Sequence, residues 1–319
     1  MATPPLVQLD KVTRLYGEHV AVLELDLTLH AGEVVGFLGP NGAGKSTTMQ
    51  MISGNLAPSA GSITINGIDL LDNPKTAKRH LGYLPENPPL YRDLTVNEYL
   101  RYCARLNRIP RAEITAAIET AKQRCGLESV GPRLIGNLSK GFQQRVGIAQ
   151  AIIHSPTVVI LDEPTVGLDP IQIREIRALI RELGKSHSVL LSTHLLPEVL
   201  QVCDRVEIIH QGRRVFADSV AGLSQRTAAT STIVAFGTAS DAATLATLPH
   251  IEAVEVLSEN RYRLQHPAGR MPAEELIRCA VERDWGLCEL TPETIGLEQI
   301  FVELTTGESA AAAPQAATA

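Results

Sequence analysis

One stretch constrains the fold of this chain more than any other: Val34-Val35-Gly36-Phe37-Leu38-Gly39-Pro40-Asn41-Gly42-Ala43-Gly44-Lys45-Ser46-Thr47. From Gly39 to Ser46 it fits the pattern G-x-x-x-x-G-K-[ST], and the apolar residues Val34, Val35, Phe37 and Leu38 lead into it as a buried strand would. Glycines at 39, 42 and 44 let the backbone curl so that successive N–H groups converge on phosphate oxygens. A helix starting near Lys45 brings the positive end of its dipole to the same place. Lys45 adds a point charge for the outer phosphates, and the Ser46 hydroxyl suits Mg²⁺. A glycine-rich turn without function would not require Lys and Ser at those offsets. The chain is therefore expected to bind a nucleoside triphosphate within an α/β core.

At 319 residues the chain exceeds the usual size of one domain, so two are expected. Charge divides it as well. Residues 1–226 hold 24 Lys and Arg against 22 Asp and Glu, whereas residues 227–305 hold 5 against 12. The net charge of -6 thus resides in the C-terminal third, which argues against a grip on nucleic acid or anionic lipid there. Five cysteines (Cys103, Cys125, Cys203, Cys279, Cys288) lack a C-x-x-C pair and read as reduced thiols of a cytosolic protein. No basic leader precedes an apolar segment, and no run of about 18 apolar residues occurs, so the chain is expected neither to be secreted nor to span a membrane on its own.

Taken in order, residues 6–13 and 22–30 read as strands, the second alternating Leu23, Leu25, Leu27 and Leu29 with polar residues. Tyr16, in the turn between them, is either a hairpin tyrosine or a ring that stacks on a purine. A helix from Lys45 to Gly54 and a strand at 61–67 follow, then a short strand that ends in Leu84-Pro85-Glu86. Residues 95–108 and 112–125 read as helices. Ser139 caps a helix that reaches about His154, and its free N–H groups would accept an anion. Val158 to Leu161 is a wholly apolar strand ending in Asp162 and Glu163, placed to hold Mg²⁺ and to polarise a water. Asp169 and Pro170 open another helix. Ser188 to Thr193 is a buried strand with His194 just past its end, where a hydrogen bond to a terminal phosphate becomes possible.

These residues, in this order over about the first 225 positions, resemble the nucleotide-binding subunit of an ABC transporter. The resemblance implies a mixed-sheet P-loop core with an antiparallel β subdomain and a helical signature subdomain. It implies that Tyr16 stacks on adenine, that Gly39, Pro40, Asn41, Gly42, Ala43, Gly44, Lys45, Ser46 and Thr47 hold the phosphates, and that Ser139, Gly141 and Gln143 form the signature motif. Ser46, Asp162 and Glu86 would hold Mg²⁺. Asp169 would speak across a dimer, Glu163 would be the catalytic base and His194 the switch histidine, with Lys45 neutralising charge. Two departures stand out. The usual Leu-Ser-Gly-Gly-Gln carries Lys140 and Phe142 here, and Glu86 replaces the glutamine of the loop before the signature, so it has no amide donor. ATP and Mg²⁺ are the implied cofactors. The implied partners are a separate membrane permease and a second copy of the chain, with no nucleic acid and no contact with the transported substrate. The implied function is to power an exporter from the inner face of the cell membrane by ATP-driven dimerisation. The rival class, an ATP-driven clamp on nucleic acid, resembles this family with two cassettes or a coiled-coil insertion, neither of which is present.

The C-terminal third reads as strand 231–236, helix 240–248, hairpin 252–265, helix 272–284, strand 286–290 and a last helix from about 296. That order, β-α-β-β-α-β, is ferredoxin-like. The expected domains are therefore a cassette at 1–225, a small α+β accessory or dimerisation domain at 226–306, and a disordered alanine-rich tail at 307–319.

Overall fold

The computed structural model describes residues 4–226, 230–238, 241–267 and 270–293. The chain divides into two compact units at Val220 and Ala221. The first contains strands β1 (Val7–Tyr16), β2 (His19–Leu29) and β3 (Val34–Leu38), helix α1 (Lys45–Ile52), strands β4 (Ala60–Ile65) and β5 (Ile68–Asp69), and helix α2 (Pro74–Ala77). It continues with β6 (Leu81–Leu84), α3 (Val96–Leu106), α4 (Ile114–Cys125), α5 (Lys140–Ile152), β7 (Val158–Asp162), α6 (Pro170–Gly184), β8 (Ser188–Thr193), α7 (Leu196–Val202), β9 (Arg205–His210) and β10 (Arg213–Ser219). Helix α8 (Val220–Arg226) follows.

Two sheets share this unit. One has the order β2-β1-β4-β5 and is antiparallel. The other has the order β10-β9-β3-β8-β7-β6, parallel except at its edge β10. Every residue of β3, β7 and β8 is buried, which is why these strands read as unbroken apolar runs. The core fills the space between the sheets, where Met49, Met51 and Ile52 of α1 meet Leu25, Leu27 and Leu29 on one side and Phe37, Ile160 and Leu190 on the other. This packing fixes α1, and hence the phosphate loop before it, at the C-terminal edge of β3.

The hairpin departs from the expected alternation. Leu25, Leu27 and Leu29 are buried, but Leu23 is only half-buried and Val22 takes the inward place. Glu24 adopts φ +47°, a bulge that shifts the ladder by one residue, and its N–H is held by Thr13 Oγ1 at 3.0 Å. Both strands also run on to a tight turn, so that Tyr16 pairs with His19.

In the second unit, β11 (Ser231–Phe236), α9 (Ala242–Leu245), β12 (Ala253–Ser258), β13 (Arg261–Gln265), α10 (Ala273–Glu282) and β14 (Leu287–Glu293) follow in order. The sheet is antiparallel in the order β12-β13-β11-β14, as the β-α-β-β-α-β reading anticipates. Phe236, Tyr262, Leu264, Leu276 and Trp285 form its core, with the Phe236 and Trp285 rings edge to face at 5.2 Å. Helix α9 is a single turn, shorter than the expected 240–248, because Thr247 N–H already turns back to Thr244. The expected helix from about 296 and the tail at 307–319 lie outside the described residues.

Candidate functional site

The phosphate loop is shaped by what it cannot carry. Gly44 adopts φ +103°, and a Cβ there would stand 2.5 Å from the Ala21 carbonyl, so this position requires glycine. Gly42, at φ +80°, faces open space. The turn between β9 and β10 locks the loop from behind, with Gly212 N–H bonded to Ala43 O at 2.9 Å and Leu23 N–H to Gly212 O at 2.9 Å. Gly39, Pro40 and Ala43 form the base of the loop, whereas Asn41, Gly42, Gly44, Lys45, Ser46 and Thr47 line a cavity of about 470 Å³. Tyr16, His19, Ala21, Glu86, Glu163, Val166 and His194 complete its wall.

Three side chains capable of charge are joined inside it. Lys45 is 6% exposed and donates from Nζ to Gly39 O at 2.8 Å and Pro40 O at 3.2 Å, with Glu163 Oε1 at 3.4 Å. The other Glu163 oxygen, Oε2, lies 2.9 Å from His194 Nδ1. Glu163 adopts φ +49° while its N–H bonds to Ser192 O at 2.9 Å, so the turn that aims its carboxylate is held in a costly conformation by the neighbouring strand. These distances draw together residues contributed by the ends of β3, β7 and β8.

Asp162 ends β7 beside them, 2% exposed. Burial raises its pKa, as do the Glu163 and Glu86 carboxylates, while the hydroxyls of Ser192 and Ser46 favour its ionised form. Its Oδ1 has no hydrogen-bond partner among the described residues. An orphaned buried carboxylate oxygen beside a hydroxyl is a donor set that fits a magnesium ion. No cluster of three or more acidic, histidine or cysteine side chains suited to a metal occurs among the described residues. Such an ion would therefore share Asp162 and Ser46 with phosphate oxygens, as magnesium commonly does. Glu86 lines the cavity together with Ser46.

Tyr16 does stand at the cavity, 46% exposed, with the Arg14 guanidinium 4.7 Å from its ring centre. One ring face is thus engaged by a cation.

The remaining sequence-selected residues lie elsewhere. Ser139 caps α5 and accepts from Phe142 N–H at 3.4 Å. Gln143 spends its amide on Ile135 O and Leu138 O, at 3.3 and 3.0 Å. Gly141 packs under α6, where a Cβ would meet the Gln172 side chain at 2.7 Å. Asp169 caps α6 by accepting from Ile171 and Gln172 N–H groups, both at 2.9 Å. None of the four lines the cavity. Sequence reasoning also missed contributors. His19 and Val166 line the cavity, and Glu198 of α7 is wholly buried behind it. Glu198 falls four positions after His194, but nothing in its sequence context distinguishes it from a helix-surface acid.

Residues 22–166 match the sequence model of the family described as ABC transporter. The chain is 39% identical over 210 residues to the bacitracin transport ATP-binding protein BcrA of Bacillus licheniformis, covering 65% of this chain and 68% of that protein. It is 33% identical over 311 residues to the ABC transporter ATP-binding protein YdbJ of Bacillus subtilis, covering 95% of this chain and 96% of that one. Among solved structures, the dimeric post-hydrolysis state of the ATP-binding cassette MJ0796 with ADP and Pi superposes with TM-score 0.61 at 25% identity, over 67% of this chain and 98% of that cassette. The phosphate loop opens on the cavity where Lys45, Glu163 and His194 meet, and the protein belongs to the ATP-hydrolysing ATP-binding proteins of ABC transporters.

Proposed function

We propose that this chain powers an exporter whose permease is a separate membrane chain, and that it works as a closed pair of cassettes with ATP shared between them. The observation that carries this reading is the separation of the two halves of the site. Lys45, Glu163 and His194 are gathered in one cavity, while Ser139 and Gly141 of the same chain stand outside it. Ser139 is exposed at the N-terminus of a long helix, which suits it to a phosphate presented by another copy. The dimeric form of MJ0796 supports the same arrangement. The likeness to a bacitracin transport protein supports a transport role, and we read its direction as export. The second unit carries the negative charge, and its Thr232–His266 hydrogen bond is buried away from solvent at 1% and 2% exposure, so we assign it an accessory or dimerisation role over residues 226–306.

The chemistry follows from the contacts. Both Glu163 oxygens are engaged, Oε1 by the Lys45 ion pair and Oε2 by His194, so an attacking water must share the carboxylate with both. An incoming triphosphate competes for Lys45 through its outer oxygens, and the release of Oε1 lets Glu163 take the proton of an in-line water. A neutral His194 that donates Nδ1–H to Glu163 presents a lone pair at Nε2. Donation from His194 to the γ-phosphate then requires either a second proton or loss of the Glu163 bond. Asp162 and Ser46, with Glu86, would hold Mg²⁺, which supplies charge neutralisation at the phosphates. Closure favours the nucleotide-bound pair because ATP gains contacts there that it lacks in the open state, and loss of the γ-phosphate removes them.

Glu163→Gln tests this directly. Turnover should fall by about 10²-fold or more, the loss expected for removal of a general base, while ATP binding persists. Size-exclusion chromatography with ATP should then show a dimer. Persistent turnover would remove Glu163 from its assigned role, and an ATP-loaded monomer would remove the closed pair.

A further inference from the structure

Glu198 lies in α7 with no exposed surface. Helix α7 comes this close because Gly36 of β3 has no side chain: a Cβ there would stand 2.7 Å from Val199 Cγ1. The same Glu198 oxygen, Oε2, accepts from two hydroxyls. Thr193 Oγ1 donates at 2.7 Å from the end of β8, and Thr165 Oγ1 donates at 3.2 Å from the turn after β7. Thr193 Oγ1 also accepts from Leu195 N–H at 3.1 Å, which wraps the chain around His194. Thr165 lies in the turn that Glu163 begins, closed by Val166 N–H on Glu163 O at 3.2 Å. Among the described residues the second oxygen, Oε1, has no hydrogen-bond partner, and neither has Arg177 Nε on α6. Burial raises the Glu198 pKa and the Glu163 charge adds to it, while Arg177 opposes them.

A buried carboxylate without a salt bridge is costly, and one oxygen holding two chain segments gives this one a use. The ladder of β7 and β8 ends at the Asp162–Ser192 pair, and beyond the Glu163 N–H bond to Ser192 O the two chain ends are joined by Glu198 through Thr165 and Thr193. We infer that Glu198 is a positioning residue for hydrolysis: through Thr165 and Thr193 it holds the Glu163 turn and the His194 strand end at the spacing their 2.9 Å contact needs. The inference rests on the roles proposed above for Glu163 and His194.

The test compares Glu198→Gln with Glu198→Met in the full chain. The amide oxygen of glutamine accepts both hydroxyls, and its NH₂ replaces an oxygen that makes no bond. Methionine fills similar volume and accepts almost nothing. Glu198→Gln should keep kcat within about threefold, whereas Glu198→Met should lose about 10- to 100-fold in kcat, the scale of an ångström misplacement. Fluorescent ATP-analogue affinity and melting temperature should be nearly unchanged in both. Equal kcat in the two variants, whether both are active or both are not, would overturn the inference. If Glu198→Met fails to fold, Thr193→Val removes the shorter bond and should lower kcat at unchanged affinity; unaltered kcat would overturn it. His194→Ala and Glu163→Gln run alongside separate the two levels. If they stay active, the proposed catalytic roles fail; if they are inactive while Glu198→Met is active, only the positioning role fails.

Discussion

The nucleotide cavity and the signature segment are both assembled from short motifs, yet they stand in opposite states. At the cavity, Lys45, Glu163 and the adjoining Asp162 are each at most 6% exposed, and Lys45 and Glu163 form an ion pair. In the signature segment, Ser139 and Lys140 are exposed, and the hydrogen bonds of Ser139 and Gln143 close only their own turn and helix. Buried charges must be paired or they cost several kcal/mol, so the cavity had to be finished within the chain. A capped helix end at the surface carries no such demand and can wait for a ligand brought from outside. Burial thus distinguishes the half that gathers Lys45 and Glu163 from the half we propose to cover it in a second copy.

Complementation between variants gives the largest effect that would break this contrast. Lys45→Ala and Ser139→Ala should each reduce ATPase activity by about 10²-fold or more, the first by losing phosphate contacts and the second by losing the cover. An equimolar mixture should recover activity, because a mixed pair holds one site with Lys45 from one copy and Ser139 from the other. Random pairing of a two-fold dimer sets the ceiling at about a quarter of the unaltered rate. No recovery on mixing, measured as phosphate release, would place both halves of the site in one chain and end the contrast.

Legibility in the sequence follows the same division. The ends of β3, β7 and β8 could be read because unbroken apolar runs mark buried parallel strands, and ligand chemistry collects at their C-terminal edge. Asp169 and Ser139 were legible as caps because capping is a local rule, and both cap their helices. The β-α-β-β-α-β order of the second unit was visible in alternation and turns, whereas the single-turn length of α9 was not, since helix ends depend on backbone turns that propensity does not encode. The bulge at Glu24 stayed hidden because alternation assumes an unbroken register. Glu198 stayed hidden for a stronger reason: its partners lie 33 and 5 positions away, and only the folded sheet puts both on one oxygen.

Glu86 belongs to both regions and gives the smaller, sharper test. It lines the nucleotide cavity and also a second cavity of about 370 Å³ with Lys140 and Gln143. Its negative charge is among the influences that raise the Asp162 pKa. Glu86→Gln removes that charge and nothing of similar size replaces it, so Asp162 should ionise at lower pH. The acid limb of the kcat/KM profile should accordingly move to lower pH, while burial, the larger cause, stays unaltered. ATP affinity measured without divalent cation should rise by a few-fold, about 1 kcal/mol or less, because one carboxylate no longer faces the phosphates. The Mg²⁺ concentration for half activity should rise, because an oxygen ligand has lost its charge. If the acid limb and the Mg²⁺ requirement both stay fixed, Glu86 acts toward the Lys140 side alone, and the two regions communicate through a residue that takes no part in holding the phosphates.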